Sequence, residues 1–194
     1  MTMLSAGIIT GSSVVEDWEG SNPLSNWSGD TGSFAVQQST VYEGSTALKC
    51  TDNAQLSITK DGLTVAPEDT PVSGYFWNDS SSRKVGMVFA AQSTAGDSSL
   101  SCYETFVNNY PAMSLYRQYD GRQTALAESG VSNAQDGWTK LTVDWKSDGT
   151  ISVTFTDTTG STTTISAIDT AYSSGRIGVM SYQTNYADYL YYGT

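Results

Sequence analysis

The chain has 194 residues, 38% of them apolar and 11% aromatic, which is enough for one core, and no apolar run approaches the ~20 residues of a bilayer-spanning helix. Nine Lys and Arg against 20 Asp and Glu leave a net charge of −11, with Arg83-Lys84 the only adjacent basic pair, so neither nucleic acid nor membrane insertion is expected. His is absent and neither Cys50 nor Cys102 lies in a CxxC, which removes the usual zinc sites and any His-activated nucleophile.

Residues 1–13 lack a basic n-region and carry too short an apolar stretch for a secretory signal. We read them as an arm packed in a larger assembly, followed by a single domain over 14–194. Alternation bounded by turn residues predicts strands at 33–38, 46–50, 55–59, 72–77, 84–92, 101–107, 112–119, 123–128, 139–145, 151–157, 162–168, 176–182 and 186–192. Asp120-Gly121 and Asp148-Gly149 mark hairpin turns. The clearest hairpin sets Leu141, Val143 and Trp145 against Ile151, Val153 and Phe155 on one face, with Thr142, Asp144, Ser152 and Thr154 on the other. No segment has a helical period, and the economical fold is an all-β, antiparallel two-sheet sandwich.

The two ends carry the most informative pattern. Asp17-Trp18-Glu19-Gly20, Leu24, Trp27, Phe34-Ala35-Val36 and Gly44-Ser45-Thr46-Ala47-Leu48 stand near the start. Gly175-Arg176-Ile177-Gly178-Val179-Met180-Ser181-Tyr182 and Ala187-Asp188-Tyr189-Leu190-Tyr191-Tyr192 stand near the finish. The whole resembles the concanavalin A-like lectin/laminin-G jelly roll, in which the first and last strands lie side by side. That resemblance implies a structural calcium ion. Carboxylates from Asp17 or Glu19 and from Asp188 would meet beside main-chain carbonyls of the loop at Gly44, a mixture suited to calcium's oxygen preference.

Chemistry beyond this is sparse. A glycoside hydrolase on this fold would place paired carboxylates across the scissile bond, as jelly-roll glucanases do with Glu-x-Asp-x-Glu on one strand, and that triplet is absent. Glu104 and Asp144 are isolated mid-strand carboxylates, read as solvated polar-face residues. Cys50 and Cys102 permit one disulfide or two half-buried thiols. Aromatics beside polar residues are the sugar-binding ingredients: Trp77, Tyr103, Tyr110, Tyr116, Arg117 and Tyr119 are the candidate glycan contacts. The dispersed acidity, poor in Lys, suits concentrated salt. The expectation is therefore a non-enzymatic surface module, a virion protein (capsid decoration, turret or tail) of a virus of a halophilic microbe. It would contact copies of itself, other assembly proteins and host glycans at the virion surface. The alternative is an extracellular carbohydrate-binding module of a polysaccharide-degrading system.

Overall fold

Fifteen strands form among the described residues because short β-branched and aromatic runs alternate with Ser, Thr and Gly turns. The computed structural model describes residues 13–68, 71–77, 84–108, 112–130 and 137–193; of the expected arm over 1–13, residues 1–12 lie outside them, as does Tyr110, while Ser13 belongs to the first described strand. In chain order the strands are β1 Ser13–Glu16, β2 Trp27–Gly29, β3 Phe34–Gln37, β4 Ala47–Cys50, β5 Gln55–Lys60, β6 Val72–Trp77, β7 Lys84–Ala91 and β8 Cys102–Asn108. They continue with β9 Ala112–Tyr119, β10 Arg122–Gly130, β11 Trp138–Trp145, β12 Thr150–Thr156, β13 Thr162–Ile168, β14 Arg176–Tyr182 and β15 Tyr186–Tyr192.

They build two antiparallel sheets. The eight-stranded sheet runs β13-β12-β11-β6-β15-β4-β3, with β1 sharing the β15 edge with β4; the seven-stranded sheet runs β10-β9-β8-β7-β14-β5-β2. First and last strands pair as the resemblance implied, Ser13 opposite Tyr192. The predicted hairpin holds its register, with Leu141 opposite Phe155, Val143 opposite Val153 and Trp145 opposite Ile151. Asp120 and Gly121 both take positive φ, 46° and 72°, which gives the two-residue turn a twist that matches the flanking strands.

The core lies between the inner faces. Phe76, Met87, Phe89, Tyr103, Leu115, Leu141, Phe155 and Leu190 meet there, all buried. Trp18 and Trp27 seal one end, stacked 4.9 Å apart, and Trp27 Nε1 donates to the buried Glu16 carboxylate, which also pairs with Lys60. A second apolar cluster forms on the outer face of the seven-stranded sheet, where Leu100 covers Val88, Cys102, Phe106 and Met180. Leu100 arrives there because the β7–β8 connection folds back over its own sheet. Gln118 Nε2 donates to the Asp97 carbonyl at 2.7 Å, and Ser57 Oγ donates to the Asp97 carboxylate at 2.9 Å. Cys50 and Cys102 are free buried thiols on different sheets, and burial raises both their pKa values.

Candidate functional site

Of the six candidate glycan residues, the five that are described do not form one site. Tyr103 points inward, which parity alone does not reveal because β8 is buried on both faces. It is fully buried against Phe89, Trp145 and Tyr172. Its hydroxyl donates to Asp169 Oδ1 at 2.7 Å, and Arg117 is tied to Asp169 Oδ2, also at 2.7 Å, so Tyr103 and Arg117 close the end of the core rather than meet a ligand. Tyr116 lies on the outer face of the seven-stranded sheet, stacked on Phe106, with its hydroxyl donating to Glu128 at 2.7 Å. Tyr119 stands 70% exposed beside the β9–β10 turn. Trp77 is on the opposite sheet.

Glu104 also departs from expectation. It lies on the outer face of β8 but is fully buried, not solvated, under the folded-back segment that carries Asp97 and Leu100. Gln123 Nε2 donates to its Oε2 at 2.6 Å. Burial above all, then the Asp97 charge, pushes its pKa up to about 8. Asp144, by contrast, is half-exposed and pairs with Lys146 at 2.9 Å.

The residues expected around calcium converge in part. Glu19 Oε1 accepts the amides of Ser45 (2.6 Å) and Thr46 (2.8 Å), and Asp188 Oδ2 accepts those of Tyr42 (2.9 Å) and Glu43 (3.2 Å). Asp17 turns away to cap the amide of Glu19 at 3.1 Å. Gly44 sits at φ +79°, and a Cβ there would strike Glu19 Oε1, so the clasp needs glycine twice over. Asp188 is fully buried, and burial raises its pKa to about 6 against the opposing pull of three amides, with the Glu19 charge adding to the rise. The loop thus meets both carboxylates with N–H groups. As they stand these residues do not compose a shell of six to eight oxygens, and among the described residues no three acidic, Cys or His side chains gather as a metal site.

What the clasp does position is Tyr42. Its ring stacks on Tyr75 (centroids 3.6 Å) and meets the edge of Trp138 (6.0 Å); Trp138 in turn meets Trp77 (5.8 Å), and Tyr75 lies 6.4 Å from Tyr191. This aromatic floor covers the outer face of β11, β6 and β15. Its origin is strand parity: Phe76, Leu141 and Ala187 face the core, so Tyr75, Trp77, Trp138, Lys140 and Tyr186 face outward. Tyr42 is 40% exposed and Tyr75, Trp77, Trp138 and Tyr186 are half-buried. Lys140 sits 5.4 Å above the Tyr191 ring and Lys49 5.8 Å above that of Tyr186. Only Trp77 of this group was singled out from the sequence. The signal for Trp138 was present, since extending the Leu141-Val143-Trp145 parity backwards turns it outward.

Solved structures share the fold of the two sheets. A carbohydrate-binding module, CBM66, from Bacillus subtilis superposes with a TM-score of 0.64 at 11% identity over 83% of this chain and 96% of its own. A protein of unknown function with a galectin-like fold, also from Bacillus subtilis, gives 0.63 at 10% identity over 93% and 96%. A legume lectin-like domain from Entamoeba histolytica gives 0.62 at 10% identity over 84% and 91%. The fold is the concanavalin A-like jelly roll. No protein-family model matches the sequence, and no curated protein matches it.

Proposed function

We propose that this protein is a non-catalytic glycan-binding surface module whose ligand face is the aromatic floor of the eight-stranded sheet. One observation carries the reading: the outward side chains of β6 and β11 and the ring of Tyr42 are aromatic, hydroxylic or charged, with no aliphatic among them. Sugars offer C–H faces that stack on rings and hydroxyls that bond polar groups, so such a face suits them better than it suits an aliphatic protein surface. The likeness to a carbohydrate-binding module and to lectin folds supports the reading at the level of fold. Glu104, enclosed by its own chain, is out of reach of a substrate, which supports a binding role over a catalytic one.

We place the module on a surface-displayed assembly, the virion of a virus of a halophilic microbe, with copies of itself and other assembly proteins as neighbours. The support is the dispersed charge of −11. The likeness to CBM66 favours the second setting, a binding module of a secreted polysaccharide-degrading system. Native mass spectrometry separates them: a stable oligomer supports the assembly, a monomer the secreted module. The glycan reading itself is tested by calorimetric titration of neutral oligosaccharides, with saturable heat expected and with release of new reducing ends counting against the non-catalytic role.

A further inference from the structure

Resting on that glycan reading, we infer that the ligand is an extended, uncharged polysaccharide chain laid across the strands over Trp138, Trp77 and Tyr186, rather than a single sugar or a polyanion. The register places these residues in one line. Trp138 of β11 is opposite Trp77 of β6, Trp77 is opposite Tyr186 of β15, and Tyr186 is opposite Lys49 of β4. All four side chains leave the outer face, since Phe76, Ala187, Leu48 and Cys50 occupy the inner one. Three inter-strand steps of ~4.8 Å make a track of about 14 Å, longer than one sugar ring covers. Trp77 and Trp138 stand at 88° to one another, so the row offers successive sugars ring faces and ring edges in turn, and affinity accumulates with chain length instead of residing in one enclosed pocket.

Charge decides the second half of the inference. The track has Lys49 at one end and Lys140 beside it, each ammonium held over a tyrosine ring, and among the described residues no arginine fork for a carboxylate or sulfate. Around it the protein carries a net charge of −11, which raises the energy of a polyanion at this face. An uncharged chain meets no such barrier. The phenols of Tyr42, Tyr75 and Tyr191 supply hydroxyl partners along the same face; burial above all, then the Tyr42 and Tyr191 hydroxyls, raises the Tyr75 pKa.

The test is isothermal titration calorimetry of the whole protein with β-1,4-linked oligomers of glucose, mannose and xylose, from one to six units, and with hexagalacturonate. At least one neutral hexamer is expected to bind at least tenfold tighter than its dimer, with the monosaccharide and hexagalacturonate weaker still. Trp77→Ala and Tyr186→Ala are each expected to weaken the hexamer tenfold or more, Trp77→Tyr to keep most of the affinity, and Tyr119→Ala to leave it unchanged, all with Tm within a few degrees of the parent. Equal affinity for monomer and hexamer, preference for hexagalacturonate, or loss of binding through Tyr116→Ala and Tyr119→Ala but not Trp77→Ala would overturn the inference while the glycan reading stands. Absence of binding to every oligomer defeats both.

Discussion

Replacing Glu104 with Gln should abolish most of the pH dependence of stability between pH 6 and 8. In the folded protein the Glu104 carboxyl is buried beside Asp97, and its pKa lies near 8 instead of the ordinary 4.5. Between those values the native state keeps a proton that the unfolded chain has released, so stability falls as pH rises and levels off above about 8. The gap between 4.5 and about 8, at ~1.4 kcal/mol per pH unit, sets a ceiling of about 5 kcal/mol. Water entering as the group ionises reduces this, and about half is the working expectation. Only about half of that interval's effect falls between pH 6 and 8, so ~1 kcal/mol is expected there. For a chain of this size ~1 kcal/mol moves Tm by about 2–4 °C, and wild-type Tm should drop by roughly 2–5 °C from pH 6 to 8. Asp188, with its pKa near 6, acts mainly below this window. Glu104→Gln keeps the shape and the bond to Gln123, carries no charge, and should be flat over the same range and more stable than wild type at pH 8. Differential scanning calorimetry at fixed ionic strength provides the measurement. A wild-type protein indifferent to pH from 6 to 8, or a Gln variant that declines in parallel with it, refutes the argument.

Three further outcomes follow from the clasp and the charge. Asp188→Asn removes an acceptor from the Tyr42, Glu43 and Tyr189 amides, and Gly44→Ala forces a Cβ onto Glu19 at positive φ. Each should cost about 1–3 kcal/mol and speed hydrogen exchange at residues 42–46 far more than at β8, and unchanged exchange there would refute the clasp. Calcium added to chelator-treated protein should shift Tm by less than about 2 °C, because ~3 kcal/mol is what a site at 100-fold saturation would contribute and the loop offers amides instead; a saturable rise of several degrees would return Glu19 and Asp188 to the role of calcium ligands. Raising KCl to molar levels should increase Tm by screening the net charge of −11, and a salt-indifferent Tm would remove the support for a high-salt habitat.

The architecture was legible wherever one face of a strand is apolar and the other is not. The β11–β12 hairpin is the clearest instance, since its parity, turn and register all follow from alternation around Asp148-Gly149. β2, with three residues, and β1, whose Val14-Val15 pair breaks alternation, carry too little pattern to announce themselves. Strand β8 was found, but Cys102-Tyr103-Glu104-Thr105-Phe106-Val107 is buried on both sides, so the sequence could not tell that Tyr103 belongs to the core or that Glu104 is sealed. The outer burial comes from residues 96–101 folding over the sheet, a non-local event. The aromatic floor was half visible: parity turns Trp138 and Trp77 outward, but their adjacency depends on the order β11-β6-β15, which joins segments far apart in the chain.

Because Ser13 and Tyr192 face one another across β1 and β15, the outer ends of the first and last described strands share a single seam. Tension applied between the two ends therefore peels that ladder open one residue pair at a time, beginning at the seam, instead of shearing all its hydrogen bonds together. A module gripped in this way releases its outermost strand at low load while the packed interior stays closed.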